Sequence, residues 1–274
     1  MTLVDGVLDE LDELGTVLGD IGPVVVAFSG GADSALLAWA ATEVLGRDRA
    51  LCATAVSPSL SAHALADCRA LAAEWDLRYI EVESAEMDNP AYRRNDLDRC
   101  YHCKTGLLDA LSPLVDAESA TAVLGVNVDD LSDHRPGQRA AAERGARFPF
   151  VEAGLTKAAV RQLSRRLGLR TWDKPAAACL ASRLPHGTPV TLARLSAVDR
   201  AEAALRELGF RQLRVRHHGE LARLEVDQSE LELAILRRAD VVEAVRAAGY
   251  RFVALDLEGF RSGSFNPPAG EVDP

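Results

Sequence analysis

Near the start of the chain, an apolar run leads directly into a glycine-containing loop, and few folds accommodate this arrangement. Residues 24–28 carry only apolar side chains, as expected of a strand that is buried on both faces of a parallel sheet. The loop Ser29-Gly30-Gly31-Ala32-Asp33-Ser34 comes next, and residues 35–45 have the apolar spacing of a helix. Strand, glycine loop and helix in this order predict a phosphate-binding site at the carboxyl end of the strand.

Predicted strands and helices alternate along the first part of the chain. Such alternation indicates a parallel sheet with helices on both of its faces. The predicted strands are 24–28, 50–56, 79–82 and 121–125, and the predicted helices are 3–18, 35–45, 61–75, 104–117 and 155–167, the last with Thr156 as its N-cap.

The pattern changes after about residue 186. It predicts helices over 192–208 and 229–248, and strands over 211–216, 221–227 and 252–257. The predicted fold class is therefore α/β, with a parallel-sheet domain over 1–185 and a smaller α+β domain over 186–274. The Pro- and Gly-containing segment 185–189 would link them, and the tail from residue 267 is expected to be disordered.

Charge and hydropathy exclude some classes of partner. The net charge is −10 and the isoelectric point is about 5.2, which argues against a general nucleic-acid binder. No apolar run approaches the roughly 20 residues that span a bilayer, and the acidic start lacks the basic region of a signal peptide. We therefore predict a cytoplasmic protein without membrane or nucleic-acid partners. One basic patch could still bind RNA or be a solvated strand face: Arg211, Arg214, Arg216, His217 and His218.

The residue types of the glycine loop suit a polyphosphate. Its glycines allow close backbone approach, and Ser29 and Ser34 add hydroxyl donors. Asp33 would repel phosphate unless a cation shares the site, which suggests Mg²⁺. The loop lacks the Gly-Lys-Ser/Thr of a P-loop and the spacing of a dinucleotide fingerprint. The alternative is a strand-to-helix turn with two glycines and no ligand.

The five cysteines do not suggest a disulfide framework, because their number is odd. Cys52 and Cys68 lie in patterns typical of buried positions. Cys100 and Cys103 form a C-x-x-C pair beside Lys104, which we expect on a loop, and Cys179 lies in an Ala-rich segment. The pair could be part of a thiolate metal site, half a zinc site, a redox pair or two buried cysteines.

Several motifs together resemble a known family. The loop at 29–34 resembles the SGGxDS loop of the PP-loop ATP pyrophosphatases, and the succession of further motifs looks like the LarE family within that superfamily. Those further motifs are Arg99-Cys100-Tyr101-His102-Cys103-Lys104, Gly125-Val126-Asn127-Val128-Asp129-Asp130, Trp172-Asp173-Lys174-Pro175, Ala178-Cys179-Leu180-Ala181-Ser182-Arg183 and Asp256-Leu257-Glu258-Gly259-Phe260-Arg261.

The resemblance implies an ATP-dependent sulfur transferase. Proteins of the family adenylate the carboxylate of pyridinium-3,5-biscarboxylic acid mononucleotide, release pyrophosphate and replace AMP with sulfur during nickel-pincer nucleotide biosynthesis. In some members a cysteine gives up its own sulfur. In others three cysteines hold a [4Fe-4S] cluster that binds an additional sulfide. The C-x-x-C pair together with Cys179 favours the cluster type for this chain, and the sacrificial use of Cys179 stays open.

The resemblance also implies roles for individual residues. Cys179, Asp33, Arg183 and Glu202 would be catalytic, Asp33 would bind Mg²⁺, and Arg135 and Asp133 would lie near the ligand. Without the resemblance, Glu202 would be expected to face solvent and Arg183 could equally be in a surface salt bridge. The iron–sulfur ligands would be Cys100, Cys103 and Cys179. Binding of ATP or substrate would involve Ser29, Gly30, Gly31, Asp33, Ser34, Ser57, Gly125, Asn127, Asp129, Ser182, Arg214 and Arg216.

Other functions remain possible from the sequence. A tRNA thiolase or an amide synthetase of the same superfamily would need a basic RNA-binding domain or a glutaminase partner, and the chain shows neither feature. A sensor that binds ATP without chemistry would leave Asp33 and the three cysteines without a purpose. Members of the resembled family form homo-oligomers, so a trimer or hexamer is expected.

Overall fold

In a computed structural model, the chain is described over residues 3–132, 136–175 and 178–261. Asp133, Arg135 and the tail from residue 267 lie outside these residues. The α-helices are α1 Leu3–Ile21, α2 Ala32–Leu45, α3 Ala62–Glu74, α4 Pro90–Arg94, α5 Arg99–Ala117, α6 Pro136–Glu143, α7 Pro149–Glu152, α8 Lys157–Arg166, α9 Leu192–Glu207, α10 Leu231–Leu236 and α11 Arg238–Ala247. The strands are β1 Val24–Ala27, β2 Ala50–Val56, β3 Arg78–Glu83, β4 Thr121–Val123, β5 Leu213–His218, β6 Leu221–Val226 and β7 Phe252–Leu255.

The chain forms two compact units. The first contains the described residues within 1–57, 62–92 and 98–177, and the second contains 58–61, 93–97 and the described residues from 178 onward. The second unit thus begins ahead of segment 185–189 and takes in two short segments of the first half. Asn95 shows why one of them belongs there, because its side-chain amide donates to the carbonyls of Pro185 and Thr188, each at 2.8 Å.

The sheet of the first unit has the order β3-β2-β1-β4, and its strands are all parallel. The chain adds β2 and β3 on one side of β1 and then places β4 on the other side. The strand order therefore reverses between β1 and β4, and ligands of such sheets bind outside the carboxyl ends of the strands at this reversal. The glycine loop follows β1 at this point.

The side chains of β1 explain why a short apolar run forms the central strand. Val24 and Val26 pack into a cluster with α1, α2 and α8, whereas Val25 packs into a second cluster with Leu108 and Leu111 of α5. All three valines are at most 1% exposed, and burial of one such side chain contributes about 1.5–3 kcal/mol. The prediction of a strand that is buried on both faces is confirmed.

The second unit contains a small mixed sheet of order β5-β6-β7. Strands β5 and β6 are antiparallel, and β6 and β7 are parallel. The apolar sides of α9 and α11 pack against this sheet. The predicted fold class, a parallel-sheet domain with a smaller α+β region, is confirmed.

The prediction of a single helix over 229–248 is wrong. A short 3₁₀ helix, Gln228–Glu230, is followed by α10 and α11, which are separated at Arg237. The φ and ψ angles of Arg237 are −96° and 21°, and its guanidinium donates to the carbonyl of Leu208 at 2.6 Å and to Asp240 at 2.9 Å. These hydrogen bonds hold Arg237 outside helical geometry although the apolar spacing continues.

Over the described ranges, no helix has both the length and the apolar character that a bilayer span requires.

Candidate functional site

The glycine loop turns from the end of β1 into the first turn of α2. Gly30 has a φ of +65°, a conformation that is strained for residues with a Cβ atom. The Ser29 amide donates to Ser34 Oγ at 3.2 Å, and the two hydroxyl oxygens are 3.0 Å apart. The N-cap of α2 is Gly31, so no side chain at this position caps the first amides of the helix. The first-turn amides of α2 therefore point out of the helix end as donors for an anion.

Two residues that follow β4 lie against this loop. A Cβ atom on Gly125 would be 2.9 Å from the carbonyl carbon of Asp33 and from the amide nitrogen of Ser34, so only glycine fits there. Asn127 is 1% exposed, and its Nδ2 donates to Asp33 Oδ1 at 3.3 Å. The other side-chain atom, Asn127 Oδ1, is buried and has no hydrogen-bond partner within the described part of the chain. It is an oxygen that a bound polar group could use.

Asp33 is also in an ion pair. Its Oδ2 contacts the ammonium of Lys157 at the start of α8, and the backbone amide of Lys157 donates to Asp129 Oδ2 at 2.7 Å. Lys157 therefore links two carboxylates that the sequence singled out, Asp33 as a Mg²⁺ ligand and Asp129 as a residue that binds ATP or substrate. Mg²⁺ commonly binds one or two carboxylates together with substrate phosphates, so Asp33 and the Asn127 oxygen fit such an ion.

Ser57, which follows β2, uses its hydroxyl within the protein. Its Oγ donates to Glu86 Oε1 at 2.7 Å, and Ser84 Oγ donates to Glu86 Oε2 at 2.9 Å. Glu86 is only 4% exposed. Ser57 thus holds a buried carboxylate, and its predicted contact with ATP or substrate stays a prediction.

The C-x-x-C pair lies in the first turn of α5, so the prediction that it lies on a loop is wrong. The spacing of Cys100 and Cys103 matches one helical turn, and residues three apart lie on the same side of a helix. Cys100 is exposed and Cys103 is partly buried, and both are thiols. His102 lies between the two cysteines in the sequence, and its Nε2 is 3.1 Å from Asp98 Oδ2, one turn earlier. The two thiols therefore lie on one side of α5, as a shared metal centre would require.

The third predicted cluster ligand belongs to the other unit. Cys100 and Cys103 are in the first unit, and Cys179 is in the second. Neither unit taken by itself brings together three His, Cys, Asp or Glu side chains that could hold a metal ion, within the described residues. A three-thiolate site therefore stays a prediction.

Cys179 directly precedes a 3₁₀ helix, Leu180–Arg183, that holds its backbone in place. The Cys179 carbonyl accepts hydrogen bonds from the Ser182 amide at 2.9 Å and from Ser182 Oγ at 2.7 Å. Arg183 Nη1 donates to the same carbonyl at 3.3 Å. Since the Cys179 thiol is partly exposed, the backbone is ordered while the sulfur stays accessible.

Arg183 and Glu202 are both buried, so the two alternatives to a role in the site, a surface salt bridge and a solvent-facing glutamate, are wrong. Glu202 is fully buried and Arg183 is 6% exposed. The Glu202 carboxylate accepts hydrogen bonds from the Val215 amide at 3.1 Å and from Arg206 at 3.2 Å. Burial raises the pKa of Glu202, but the charges of Arg183 and Arg206 outweigh it, so the pKa lies below its usual value.

Arg214 and Arg216 lie on the same side of β5 and are 5% and 2% exposed, so a solvated strand face is ruled out for them. Arg216 pairs with Glu225 at 2.9 Å and donates to the Ser182 carbonyl at 2.9 Å. Burial, together with the charges on Arg183 and Arg216, lowers the pKa of Arg214 to about 10. A buried arginine that is repelled by two others favours a bound anion such as phosphate.

Two lysines at the glycine loop were not singled out from the sequence. Lys157 contacts Asp33, and Lys174 donates to the Gly30 carbonyl at 2.7 Å. Lys174 belongs to the motif at 172–175, and Lys157 follows Thr156, whose predicted N-cap bond to the Ala159 amide is present at 3.2 Å. The motif and the N-cap indicate that the two lysines lie in ordered segments. They do not show which groups the lysine side chains contact.

The fold and the loop define an α/β protein with a parallel-sheet domain of the nucleotide-binding type. The second unit adds a site of buried arginines. No protein-family profile matches the chain. It is, however, 35% identical over 250 residues to the pyridinium-3,5-bisthiocarboxylic acid mononucleotide synthase of Lactiplantibacillus plantarum, which covers 91% of each chain. The chain belongs to the LarE family, of which this synthase is a member.

Two further relatives are uncharacterized. A protein of Synechocystis is 43% identical over 260 residues, with 94% of this chain and 97% of the relative covered. A protein of Methanocaldococcus jannaschii is 26% identical over 242 residues, with 87% of this chain and 91% of the relative covered. The matched residues of these relatives include parts of both units.

Proposed function

We propose that this chain is an ATP-dependent sulfur transferase that converts a carboxylate of pyridinium-3,5-biscarboxylic acid mononucleotide into a thiocarboxylate during nickel-pincer nucleotide biosynthesis. The name of the Lactiplantibacillus relative supports the sulfur insertion and the pyridinium mononucleotide substrate. The observation that carries the ATP-dependent half is the glycine loop at the strand reversal, where Gly125 lies against the backbone of Asp33 and Ser34. A cytoplasmic homo-oligomer, a trimer or hexamer, without a nucleic-acid partner, is part of the same proposal.

The first step would use the glycine loop. A carboxylate oxygen of the substrate attacks the α phosphorus of ATP, the bond to the β phosphate breaks, and pyrophosphate leaves. The first-turn amides of α2 and the hydroxyls of Ser29 and Ser34 would bind the leaving pyrophosphate. Asp33 and Asn127 Oδ1 would hold Mg²⁺, which neutralises phosphate charge when bound. Lys157 would then exchange its contact with Asp33 for a phosphate oxygen.

The second unit would bind and orient the mononucleotide. Arg214 and Arg216 would hold its phosphate, because the site combines burial with an excess of cations. Among the described residues, six arginines face four carboxylates there: Arg183, Arg206, Arg214, Arg216, Arg223 and Arg261 against Glu202, Glu225, Asp256 and Glu258. Arg183 and Ser182 would keep Cys179 in a fixed position through the carbonyl of that cysteine.

The second step would place sulfur on the activated carboxylate. A sulfide attacks the acyl carbon, the carbon–oxygen bond to AMP breaks, and AMP leaves. Cys100, Cys103 and Cys179 would hold a [4Fe-4S] cluster, which when bound supplies sulfide. The alternative source is Cys179 itself: its thiolate would attack the acyl carbon, AMP would leave, and a thioester would form. Loss of the Cys179 α proton would then break the Cβ–S bond, which leaves the sulfur on the substrate as a thiocarboxylate and the residue as dehydroalanine.

One reaction tests the proposal. The full chain, purified without oxygen, is incubated with MgATP and pyridinium-3,5-biscarboxylic acid mononucleotide, and pyrophosphate is measured together with the thiocarboxylate product by mass spectrometry. We expect pyrophosphate to be released only when the pyridinium substrate is present. The amount of thiocarboxylate product should be proportional to the amount of transferable sulfur in the protein. ATP binding without pyrophosphate release would instead indicate a sensor and would contradict the proposal.

A further inference from the structure

We infer that Lys174 and Asp67 are positioning residues of the glycine loop, because together they hold the Gly30 carbonyl and thereby direct the following amide toward a bound phosphate. The inference rests on the proposed function, since it concerns the loop that would bind ATP. The inference adds to the proposed ATP site two residues that would not themselves touch the reacting atoms.

The contacts of Lys174 lie within the first unit. Its ammonium donates to Gly30 O at 2.7 Å and forms an ion pair with Asp67 of α3. The side chains of Lys174 and Asp67 are 25% and 17% exposed, so the pair is largely shielded from water. The backbone of Lys174 is also held, because Arg161 of α8 donates to its carbonyl at 3.3 Å. Asp67 therefore holds the ammonium of Lys174, and Arg161 holds its backbone.

The direction of one peptide group explains the effect of this contact. In a trans peptide the carbonyl of Gly30 and the amide of Gly31 point in opposite directions. A lysine that holds the carbonyl on one side therefore turns the Gly31 amide to the other side. Gly30, with a φ of +65°, has little conformational preference of its own. Without the lysine, the peptide could rotate and present its carbonyl oxygen, which repels phosphate.

The α3 helix supports the loop at a second point. Cys68, next to Asp67, has its Sγ 3.0 Å from where a Cβ atom on Gly30 would lie. Cys68 is fully buried, so α3 and the loop are packed together there. Asp67 is thus carried by an element that already contacts Gly30, which is what a positioning residue needs.

The charges around Lys174 argue against a direct role in phosphate binding. Asp67 also pairs with Arg170 at 2.9 Å, and Arg170 pairs with Glu74 at 2.7 Å. Two cations therefore face two carboxylates in this cluster. Burial raises the pKa of Asp67, but hydrogen bonds from Lys174 and Arg170 outweigh it, and the pKa lies below its usual value. Asp67 stays ionised at neutral pH and keeps the lysine in place.

The test compares ligands with and without phosphate. The affinity of the full chain for magnesium pyrophosphate and for adenosine is measured by titration calorimetry. We expect Lys174→Met to weaken pyrophosphate binding about tenfold or more, the loss typical of a hydrogen bond that involves a charged group, and to leave adenosine binding unchanged. Lys174→Arg, which keeps donors, should recover part of the affinity. Arg170→Met removes the other cation beside Asp67 without touching the loop, so it should bind pyrophosphate normally.

Asp67→Asn separates positioning from direct contact. If Lys174 positions the loop, loss of its anchor should weaken pyrophosphate binding. If Lys174 contacted phosphate directly, removal of the competing carboxylate would tighten that binding and overturn the inference. Equal pyrophosphate affinity in Lys174→Met and the wild-type chain would also overturn it, as would a parallel loss of adenosine binding. A wild-type chain that binds neither pyrophosphate nor MgATP would overturn the proposed function itself and this inference with it.

Discussion

The guanidinium of Arg183 holds the carboxylate of Glu202 in a buried pair, with Nε 2.9 Å from Oε1 and Nη2 3.3 Å from Oε2. The remaining nitrogen, Nη1, donates to the carbonyls of Ala178 at 2.7 Å and Cys179 at 3.3 Å. Through Arg183, a carboxylate on α9 therefore helps to hold the backbone of Cys179. Removal of that carboxylate would affect both the stability of the second unit and the placement of Cys179.

The first prediction concerns the stability that this pair provides. Glu202→Gln keeps the side-chain volume but leaves Arg183 without its bidentate partner in a buried place. Removal of one partner from a buried pair costs about 3–5 kcal/mol, so the free energy of unfolding should fall by about 3 kcal/mol. Urea denaturation measures it. Glu207→Gln on the same helix is the control, since Glu207 is exposed and its change should stay within about 0.5 kcal/mol.

The second prediction concerns acid. The pKa values of Glu202 and Asp67 lie below their usual values of 4.5 and 3.8, so each carboxylate adds stability above those values. This stability is lost as the pH falls through the lowered pKa of the folded state. The free energy of unfolding should therefore decrease below about pH 4.5. Glu202→Gln should show a shallower decrease, and an identical acid limb in both proteins would contradict this account.

The third prediction separates stability from substrate binding at Arg214. Since burial and two neighbouring arginines lower the pKa of Arg214, its charge disfavours the folded state. Arg214→Met should therefore leave the unfolding temperature unchanged or raise it. The same change should raise the KM for the pyridinium mononucleotide about 10–100-fold, because a charge-assisted hydrogen bond to phosphate is lost. Steady-state pyrophosphate release measures KM, and the exposed Arg211→Met is the control.

The fourth prediction uses the close approach of Gly125. Gly125→Ala would place a carbon 2.9 Å from the backbone of Asp33 and Ser34, so the glycine loop must move. Such overpacking costs about 1–3 kcal/mol, and MgATP affinity should fall about tenfold. Gly19→Ala has no atom within 4 Å of the new Cβ and lies in α1, where it should slightly stabilise the fold. Unchanged ATP binding in Gly125→Ala would show that the loop is not the nucleotide site.

The fifth prediction distinguishes the two sulfur sources. If a cluster is present, the protein purified without oxygen should contain iron and sulfide, and Cys100→Ser, Cys103→Ser and Cys179→Ser should each lose them. Cys68→Ala replaces a fully buried cysteine and should keep its iron. A colourless protein that still transfers sulfur, with Cys179 found as dehydroalanine by mass spectrometry, would contradict the cluster. Cys100→Ser would then remain active.

Local patterns predicted most of the secondary structure. The strand predicted over 50–56 matches β2 at both ends, and α9 begins at the predicted Leu192, because apolar spacing and capping residues are local signals. The start of α5 was missed, since a C-x-x-C pair is compatible both with a loop and with one helical turn. The break at Arg237 was missed because a contact with Leu208, far away in the sequence, causes it.

The order of strand, glycine loop and helix, and with it the parallel sheet and the place of the glycine loop, could be read from the sequence. Only the tertiary structure decided which charged groups meet: Lys157 with Asp33, Lys174 with Asp67 and Gly30, and Arg183 with Glu202. The partners in these contacts are 19 or more residues apart in the sequence, and each charge favours a partner because burial reduces its contact with water. Pairing of this kind depends on how the topology brings elements together, which apolar spacing along the chain does not record.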